Sequence, residues 1–276
     1  MLSRERKFRI VKIVNEKTFV TIAELMETLQ ASKSSINRDL IDLEKESLLQ
    51  RTRGGATLKD PMRLVSTWNE KPVFDKENMN VKAKQVICDY AAQNIKDGDC
   101  IFIDSGTTPT YLLTHFANKK IQIVTTSVYV IRKLPAAFKG DIYLLGGEFR
   151  RKYDMSLGPI TIESIKQFNF DHAFLSCNGV DLEKEEVYTV DFAVGAVKKE
   201  IMKRSRNKYV LVDDAKFGIK AVCTWAKLQD FTKMYVNDFP KQEEHPDNLV
   251  VCKKKSINKK TLWCFYGKKH KGDVCM

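Results

Sequence analysis

Val20-Thr21-Ile22-Ala23-Glu24-Leu25-Met26-Glu27-Thr28-Leu29 is the stretch whose reading decides the architecture of the N-terminal part. Thr21 can accept from the backbone N–H three residues on, and Glu24 can reach back to the Thr21 N–H, a capping box that fixes a helix start. Ile22, Leu25, Met26 and Leu29 then fall at i, i+3, i+4 and i+7, one face of a helix that ends near Gln30. Upstream, residues 3–16 place Ile10, Val11, Ile13 and Val14 among charged residues, a second amphipathic helix, with a short break over 17–20. Downstream a third helix begins, capped by Ser32 or Ser34, with Ile36, Leu40 and Leu43 toward the core. Its other face carries Lys33, Ser34, Ser35, Asn37 and Arg38 near the N-terminal end, where a recognition helix enters the major groove. Two short extended runs around Gly54-Gly55 read as a β-hairpin. Arg51 and Arg53, two apart on one strand face, suit a clamp on a phosphate backbone. In that order the pieces make a winged helix-turn-helix over residues 1–58.

Residues 59–80 contain Pro61 and Pro72 with weak periodicity and read as a linker. A helix follows from about Val81 to Ile95. From Asp97 the texture changes to short β-branched runs alternating with helical stretches. Ile101–Ile103, Ile121–Val124, Ile142–Leu145, His172–Leu175 and Tyr209–Val212 each run into small polar residues, glycine or aspartate. Five such strands imply a mostly parallel α/β sheet over 81–240, whose ligands collect at the carboxyl ends of the strands.

Two of those strand ends carry the chemistry. Asp104-Ser105-Gly106-Thr107-Thr108 offers hydroxyls and a flexible glycine before a helix expected over Thr110–Phe116, a good environment for a phosphate. It is not a P-loop, and no G-x-G-x-x-G occurs. Asp213-Asp214-Ala215-Lys216-Phe217-Gly218 puts an ammonium and carboxylates together, Lys for phosphate and Asp for hydroxyls.

Val20–Leu25, Ser32–Leu43 and Leu49–Ala56 with its Gly-Gly-Ala end resemble the DNA-binding domain of the DeoR family of repressors. Ile103–Thr108, Leu145-Gly146-Gly147 with Arg150, Gly158-Pro159, Asp171–Asp181 and Asp213–Gly218 resemble the successive motifs of that family's sensor domain. The resemblance covers about residues 3–240. It implies a fold related to ribose-5-phosphate isomerase, binding to double-stranded operator DNA, a phosphorylated-sugar effector, a homodimer or homotetramer, and repression of carbohydrate or nucleoside operons. The effector residues expected are Asp104, Ser105, Gly106, Thr107, Thr108, Thr126, Gly146, Gly147, Asp191, Lys198 and Lys216. The chain departs from the family in having Asn37 before Arg38 where two arginines are usual, and Val194-Gly195-Ala196 where an acidic residue is common.

Composition bounds the alternatives. Hydrophobic residues make up 43% of the 276, enough for a packed core. No run of about 18 apolar residues is present, so no membrane span is expected. The N-terminus reads as a helix rather than a secretory signal, which points to the cytoplasm. Seven cysteines without a C-x-x-C pair read as reduced thiols. The four histidines lack metal-ligand spacing, so neither metal nor cofactor is expected. The net charge of +12 is weighted to the ends, with +4 over 1–59, +3 over 60–240 and +5 over 241–276, the last a Lys-rich tail expected to be flexible. A basic chain favours polyanionic partners. The competing readings are a sugar-phosphate isomerase, with Asp104, Asp191, Asp213 or Asp214 as general base, and a kinase on the Ser-Gly-Thr-Thr loop, which lacks a Walker lysine.

Overall fold

A computed structural model of the chain describes residues 3–17, 19–46, 48–52, 54–57, 63–65, 70–239 and 245–253. At the N-terminus lie α1 (Ser3–Lys17), β1 (Phe19–Thr21), α2 (Ile22–Leu29), α3 (Lys33–Lys45), β2 (Gln50–Thr52) and β3 (Gly55–Thr57). The capping box forms: Glu24 N donates to Thr21 Oγ1 and Thr21 N to the Glu24 carboxylate. Ser32, not Ser34, caps α3, accepting from Ser35 N. Ile10, Val14, Leu25, Leu29, Ile36, Leu40, Leu43 and Leu49 close one small core. Buried Asp39 ties α1 to α3 by accepting from Arg6 and Ser3. β2 and β3 form the expected hairpin, and β1, which falls in the expected break, pairs with β3 to make it three-stranded. Gly55 is where β3 runs close against β1: a Cβ there would lie 2.2 Å from the Val20 carbonyl oxygen.

The larger domain is built on seven strands: β5 (Cys100–Ile103), β6 (Gln122–Thr125), β7 (Asp141–Leu144), β10 (Phe170–Leu175), β13 (Ser205–Val212), β16 (Lys233–Val236) and β17 (Leu249–Val251). Their order is β17-β16-β13-β10-β5-β6-β7, and all six pairings are parallel. From β5 the chain steps outward to β6 and β7, then returns to the other side of β5 for β10 and steps outward again. The order therefore reverses between β5 and β10, and the carboxyl ends of those two strands flank the crevice where open α/β sheets bind ligands.

Helices α4 (Val81–Ala91), α5 (Leu113–Phe116) and α6 (Val128–Lys133) cover one face, with Ile87, Cys88, Leu113 and Val130 in its core. The other face packs α7 (Pro159–Ile165) and α8 (Phe192–Lys203) over Phe102, Leu175 and Val210. Short antiparallel additions are β8 (Glu148–Arg150) with β9 (Met155–Leu157), and β11 (Gly179–Asp181), β12 (Glu186–Thr189) and β15 (Cys223–Lys227). β4 (Arg63–Val65) pairs in parallel with β14 (Ile219–Ala221), so part of the expected linker is strand.

Three expectations change. α4 ends at Ala91 and continues only as a 3-10 turn to Asn94. The helix expected over Thr110–Phe116 is a 3-10 turn (Pro109–Leu112) followed by the single turn of α5, so little helix dipole backs the Asp104–Thr108 loop. The tail does not begin at 241, because β17 pairs with β16 and Cys252 N donates to the Val236 carbonyl. Residues 240–244 and 254–276, which hold most of the Lys-rich segment, lie outside the described residues.

Candidate functional site

The switch point opens into a cavity of about 520 Å³. Its floor comes from the ends of β5, β10 and β13: Ser105, Gly106, Thr107 and Thr108, then Ser176, Cys177 and Asn178, then Asp213 and Lys216. Gly106 is forced by close approach, since a Cβ there would lie 2.2 Å from Ser176 Oγ. The opposite wall comes from Glu70–Lys84, the end of the expected linker and the start of α4, together with Phe8 and Val11 of α1. Among the described residues, the lysines lining the cavity are Lys71, Lys76, Lys84, Lys198 and Lys216, and the carboxylates are Glu70 and Asp213.

Below the floor sits a closed ion pair. Lys198, on the inner face of α8, donates to Asp104 and to the Ser176 carbonyl at 2.9 Å, and its Nζ stands 5.2 Å over the Trp225 ring. Asp104 also accepts from Ser176 N at 2.8 Å and Ser176 Oγ at 2.5 Å. Burial alone would push the Asp104 carboxyl up, but the Lys198 charge and these hydrogen bonds hold it below its ordinary value. Asp104 Oδ2 thus takes three donors and fixes Lys198, joining the end of β5, the turn after β10 and α8. Two of the three Lys198 N–H donors are used within the protein.

The wall is a second network. Glu70 is buried and accepts from Lys76 Nζ and from Asn178 Nδ2 at 2.6 Å. Asn80 Nδ2 donates to Asp213 at 2.8 Å, and Lys84 Nζ donates to the Lys76 carbonyl at 2.7 Å. Burial lowers the Lys84 ammonium to about 8; Asp213 opposes that shift, while Lys216 and Lys76 add to it. Burial likewise lowers Lys76 against the pull of Glu70. Tyr153 also lines the cavity and is hydrogen-bonded to Asp191; burial and Asp191 raise its phenol. The set supplies ammonium groups, hydroxyls and amide donors in a partly dry space, with more cations than carboxylates. It can hold an oxyanion carrying hydroxyl groups.

Of the expected effector residues, Ser105, Gly106, Thr107, Thr108, Lys198 and Lys216 line this cavity together. Asp104 lies beneath it. Thr126, Gly146, Gly147 and Asp191 are not among its walls. Thr126 follows β6, one strand away from the switch point, and its side chain is buried. Gly146 and Gly147 follow β7 at the sheet edge and pack against Thr161, whose hydroxyl donates to the Gly146 carbonyl. Asp191 caps α8, accepting from Ala193 N and Val194 N, and reaches the cavity only through Tyr153. All these loops do leave carboxyl ends of parallel strands or neighbouring turns, but only those flanking the reversal open on the cavity.

Glu70, Lys76, Asn80, Lys84, Tyr153 and Asn178 were not singled out by sequence. One signal was present for Lys84. It occupies the stripe completed by Ile87, Cys88 and Ala91 at i+3, i+4 and i+7, so a lysine stands on the buried face of its helix.

On α3, Lys33, Ser34 and Arg38 are exposed, and Ser35 and Asn37 half-buried. The Ser34 and Ser35 hydroxyls each lie 3.0 Å from Ser32 Oγ. Arg51 is exposed on the hairpin, its guanidinium 3.8 Å from Glu44. Arg53 lies outside the described residues. Among the described residues, no helix is long and apolar enough to cross a membrane.

Comparison with known proteins bears on both parts. The family model described as the DeoR C terminal sensor domain matches residues 79–238, and that of the DeoR-like helix-turn-helix domain matches residues 6–62. The HTH-type transcriptional regulator FruR of Bacillus subtilis is 32% identical over 84% of this chain and 90% of its own. The lactose phosphotransferase system repressor of Streptococcus mutans is 29% identical over 85% and 92%, and the glycerol-3-phosphate regulon repressor of Escherichia coli 30% over 87% and 93%. Among solved structures, ribose 5-phosphate isomerase A of Methanocaldococcus jannaschii aligns with 50% of this chain and 55% of its own at 16% identity, with a TM-score of 0.37.

Proposed function

The chain belongs to the DeoR family, and from that premise we propose that it is a repressor of a carbohydrate-metabolism operon controlled by a phosphorylated sugar. The observation that carries the control half is the cation excess of the cavity at the sheet's switch point, beside four consecutive hydroxyl-bearing or glycine positions of the β5 loop, Ser105 to Thr108. A phosphoryl group suits the ammonium groups of Lys76, Lys84 and Lys216 and the Asn178 amide, and sugar hydroxyls suit Asp213 and Ser105. Two relatives are named as repressors of a lactose phosphotransferase system and of a glycerol-3-phosphate regulon, which supports the same class of effector and target.

In this reading Lys33, Ser34, Ser35, Asn37 and Arg38 meet base edges and phosphates in the major groove, and Arg51 and Arg53 of the wing hold the backbone. Two copies of the chain would set two recognition helices on paired half-sites. The effector must bind the DNA-competent and DNA-incompetent states with different affinity, since equal affinity shifts nothing.

The isomerase reading needs a free general base near the bound sugar. Asp104 is paired with Lys198 and Asp191 caps α8, while Asp213 and Asp214 each accept one amide hydrogen bond, from Asn80 and Asn237. The deciding experiment is binding to the DNA upstream of the protein's own gene at one fixed salt concentration, with and without a panel of sugar phosphates. Specific binding altered by one of them is the expected result. The absence of specific binding in every condition overturns the reading, and turnover of pentose phosphates would replace it.

A further inference from the structure

The cavity already holds an anion of its own. Glu70 comes from the stretch that leads out of the winged helix into the sensor, yet it is 8% exposed. A residue that merely spanned two domains would leave its carboxylate in water, because burying a charge is costly unless it is paired and hydrogen-bonded. Glu70 is both: one oxygen meets Lys76 Nζ, the other accepts from Asn178 Nδ2 at 2.6 Å. Asn178 is itself preset for this. Its Oδ1 accepts from Thr189 Oγ1 at 3.1 Å and Val190 N at 3.3 Å, which turns the amide N–H group into the cavity.

An ammonium and an oriented amide N–H group are the donors that a phosphoryl oxygen also seeks. Both border the space that Ser105–Thr108 and Lys216 share. The charges around Lys76 add a constraint. Lys216 and Lys152 both work against its ammonium, while Glu70 supports it. If Glu70 left, the Lys76 ammonium would lose the charge that supports it, and an incoming anion would restore that support.

We propose that Glu70 is a built-in competitor for the effector's anionic group, so that an incoming oxyanion takes over Lys76 and Asn178 and releases the stretch Glu70–Asn80. This rests on the sensor reading above and adds its mechanism: the group displaced by the effector is part of the chain that enters the sensor from the DNA-binding domain. Occupancy of the cavity is thereby transmitted as the loss of a tether. No movement of the floor is needed, since the Asp104–Lys198–Ser176 network stays closed throughout.

The test uses full-length protein and inorganic phosphate as the probe. Calorimetric titration of Glu70→Gln should give phosphate affinity about tenfold tighter than the unsubstituted chain, roughly 1.4 kcal/mol, because the competitor has lost its charge. Lys76→Gln should bind phosphate about tenfold more weakly. A purely structural Glu70 would move both variants in the same direction, so an unchanged or weakened Glu70→Gln overturns the proposal. Backbone hydrogen exchange over residues 70–80 of the unsubstituted protein provides a measurement independent of any variant. Phosphate should speed it, and slowed or unchanged exchange is equally fatal. Phosphate binding with no Glu70 effect sinks only this inference. If neither phosphate nor any sugar phosphate binds, the inference and the sensor reading fall together.

Discussion

Replacing Lys198 by Met tests whether the floor of the cavity is an ion pair that the fold depends on. Both partners are buried, with side-chain exposure of 3% for Lys198 and 1% for Asp104. Removing one partner of a buried pair typically costs about 3–5 kcal/mol, because the other charge is left uncompensated. Here Asp104 keeps two donors from Ser176, at 2.8 and 2.5 Å, and Met fills the space against Trp225. The expected loss is therefore near the lower limit, about 3 kcal/mol at pH 7. Its pH dependence follows from the sign of the shift. In the unsubstituted protein Asp104 lies below its ordinary value, so its stabilising contribution is present above the unfolded carboxylate range and fades as pH falls through the folded value. In Lys198→Met only burial and Ser176 remain, burial dominates, and the carboxyl moves up. The deficit of the variant should then shrink as pH falls from 7, because the raised Asp104 carboxyl of the variant takes up a proton and needs no cation. Urea unfolding followed by circular dichroism at several pH values reads this directly. The double variant Asp104→Asn with Lys198→Met should recover most of the loss at pH 7. A deficit below about 1 kcal/mol, or one that is flat with pH, would refute the argument that the pair is structural.

Arg38→Ala should weaken operator binding by about 1–3 kcal/mol while phosphate binding is unchanged; DNA affinity equal to that of the unsubstituted chain, measured by fluorescence anisotropy at fixed salt, removes Arg38 from the interface. Lys216→Ala should leave operator binding intact and abolish its response to the effector, and a normal response would take Lys216 out of the site. Oxyanion binding should take up protons near pH 8, because an anion restores the Lys84 ammonium that burial has lowered to about 8. Affinity should accordingly fall as pH rises through that value. Calorimetry at pH 8 in two buffers of different ionisation enthalpy checks this, and identical heats would contradict it.

What could be read from the sequence was local. The Thr21–Glu24 box and the Ile36/Leu40/Leu43 stripe declare themselves within a few residues, and the winged helix follows. Five of the seven strands of the sheet were legible as β-branched runs ending in small polar or charged residues, but their order was not. Order is set by pairing between residues far apart, such as His172 with Ile101 and Asn207 on either side. Without it, the Gly146-Gly147 loop and the Ser105–Thr108 loop look equivalent, although one lies at the sheet edge and the other at the reversal. β1, β16 and β17 were missed for the same reason: three or four residues each, identified as strand only by pairing with β3, with β13 and with each other. Glu70, Lys76 and Asn80 sit in a segment without periodicity; the contacts of Glu70 with Asn178 and of Asn80 with Asp213, more than 100 residues on, give the segment its role, and Lys76 joins through Glu70.

The two polar networks of the cavity differ in what they attach to. On the floor, Asp104, Ser176 and Lys198 belong to the end of β5, to the turn after β10 and to α8, elements packed into the main cores, and one Asp104 oxygen takes three donors from them. A ligand gains nothing by breaking it. On the wall, Glu70, Lys76 and Asn80 come from a segment whose only helical part is the 3-10 turn Phe74–Lys76, held by side-chain bonds that another anion can replace in kind. A ligand can shift an equilibrium only by its differential affinity for two states. Exchangeable bonds must therefore lie where the states differ, and fixed ones where they do not. The division of acids supports this: Asp104 is committed to the fold, Glu70 to the segment that reaches the winged helix, and five lysines share the space between them. An effector that neutralises those lysines without Glu70 would favour the state in which that segment is untied from Asn178.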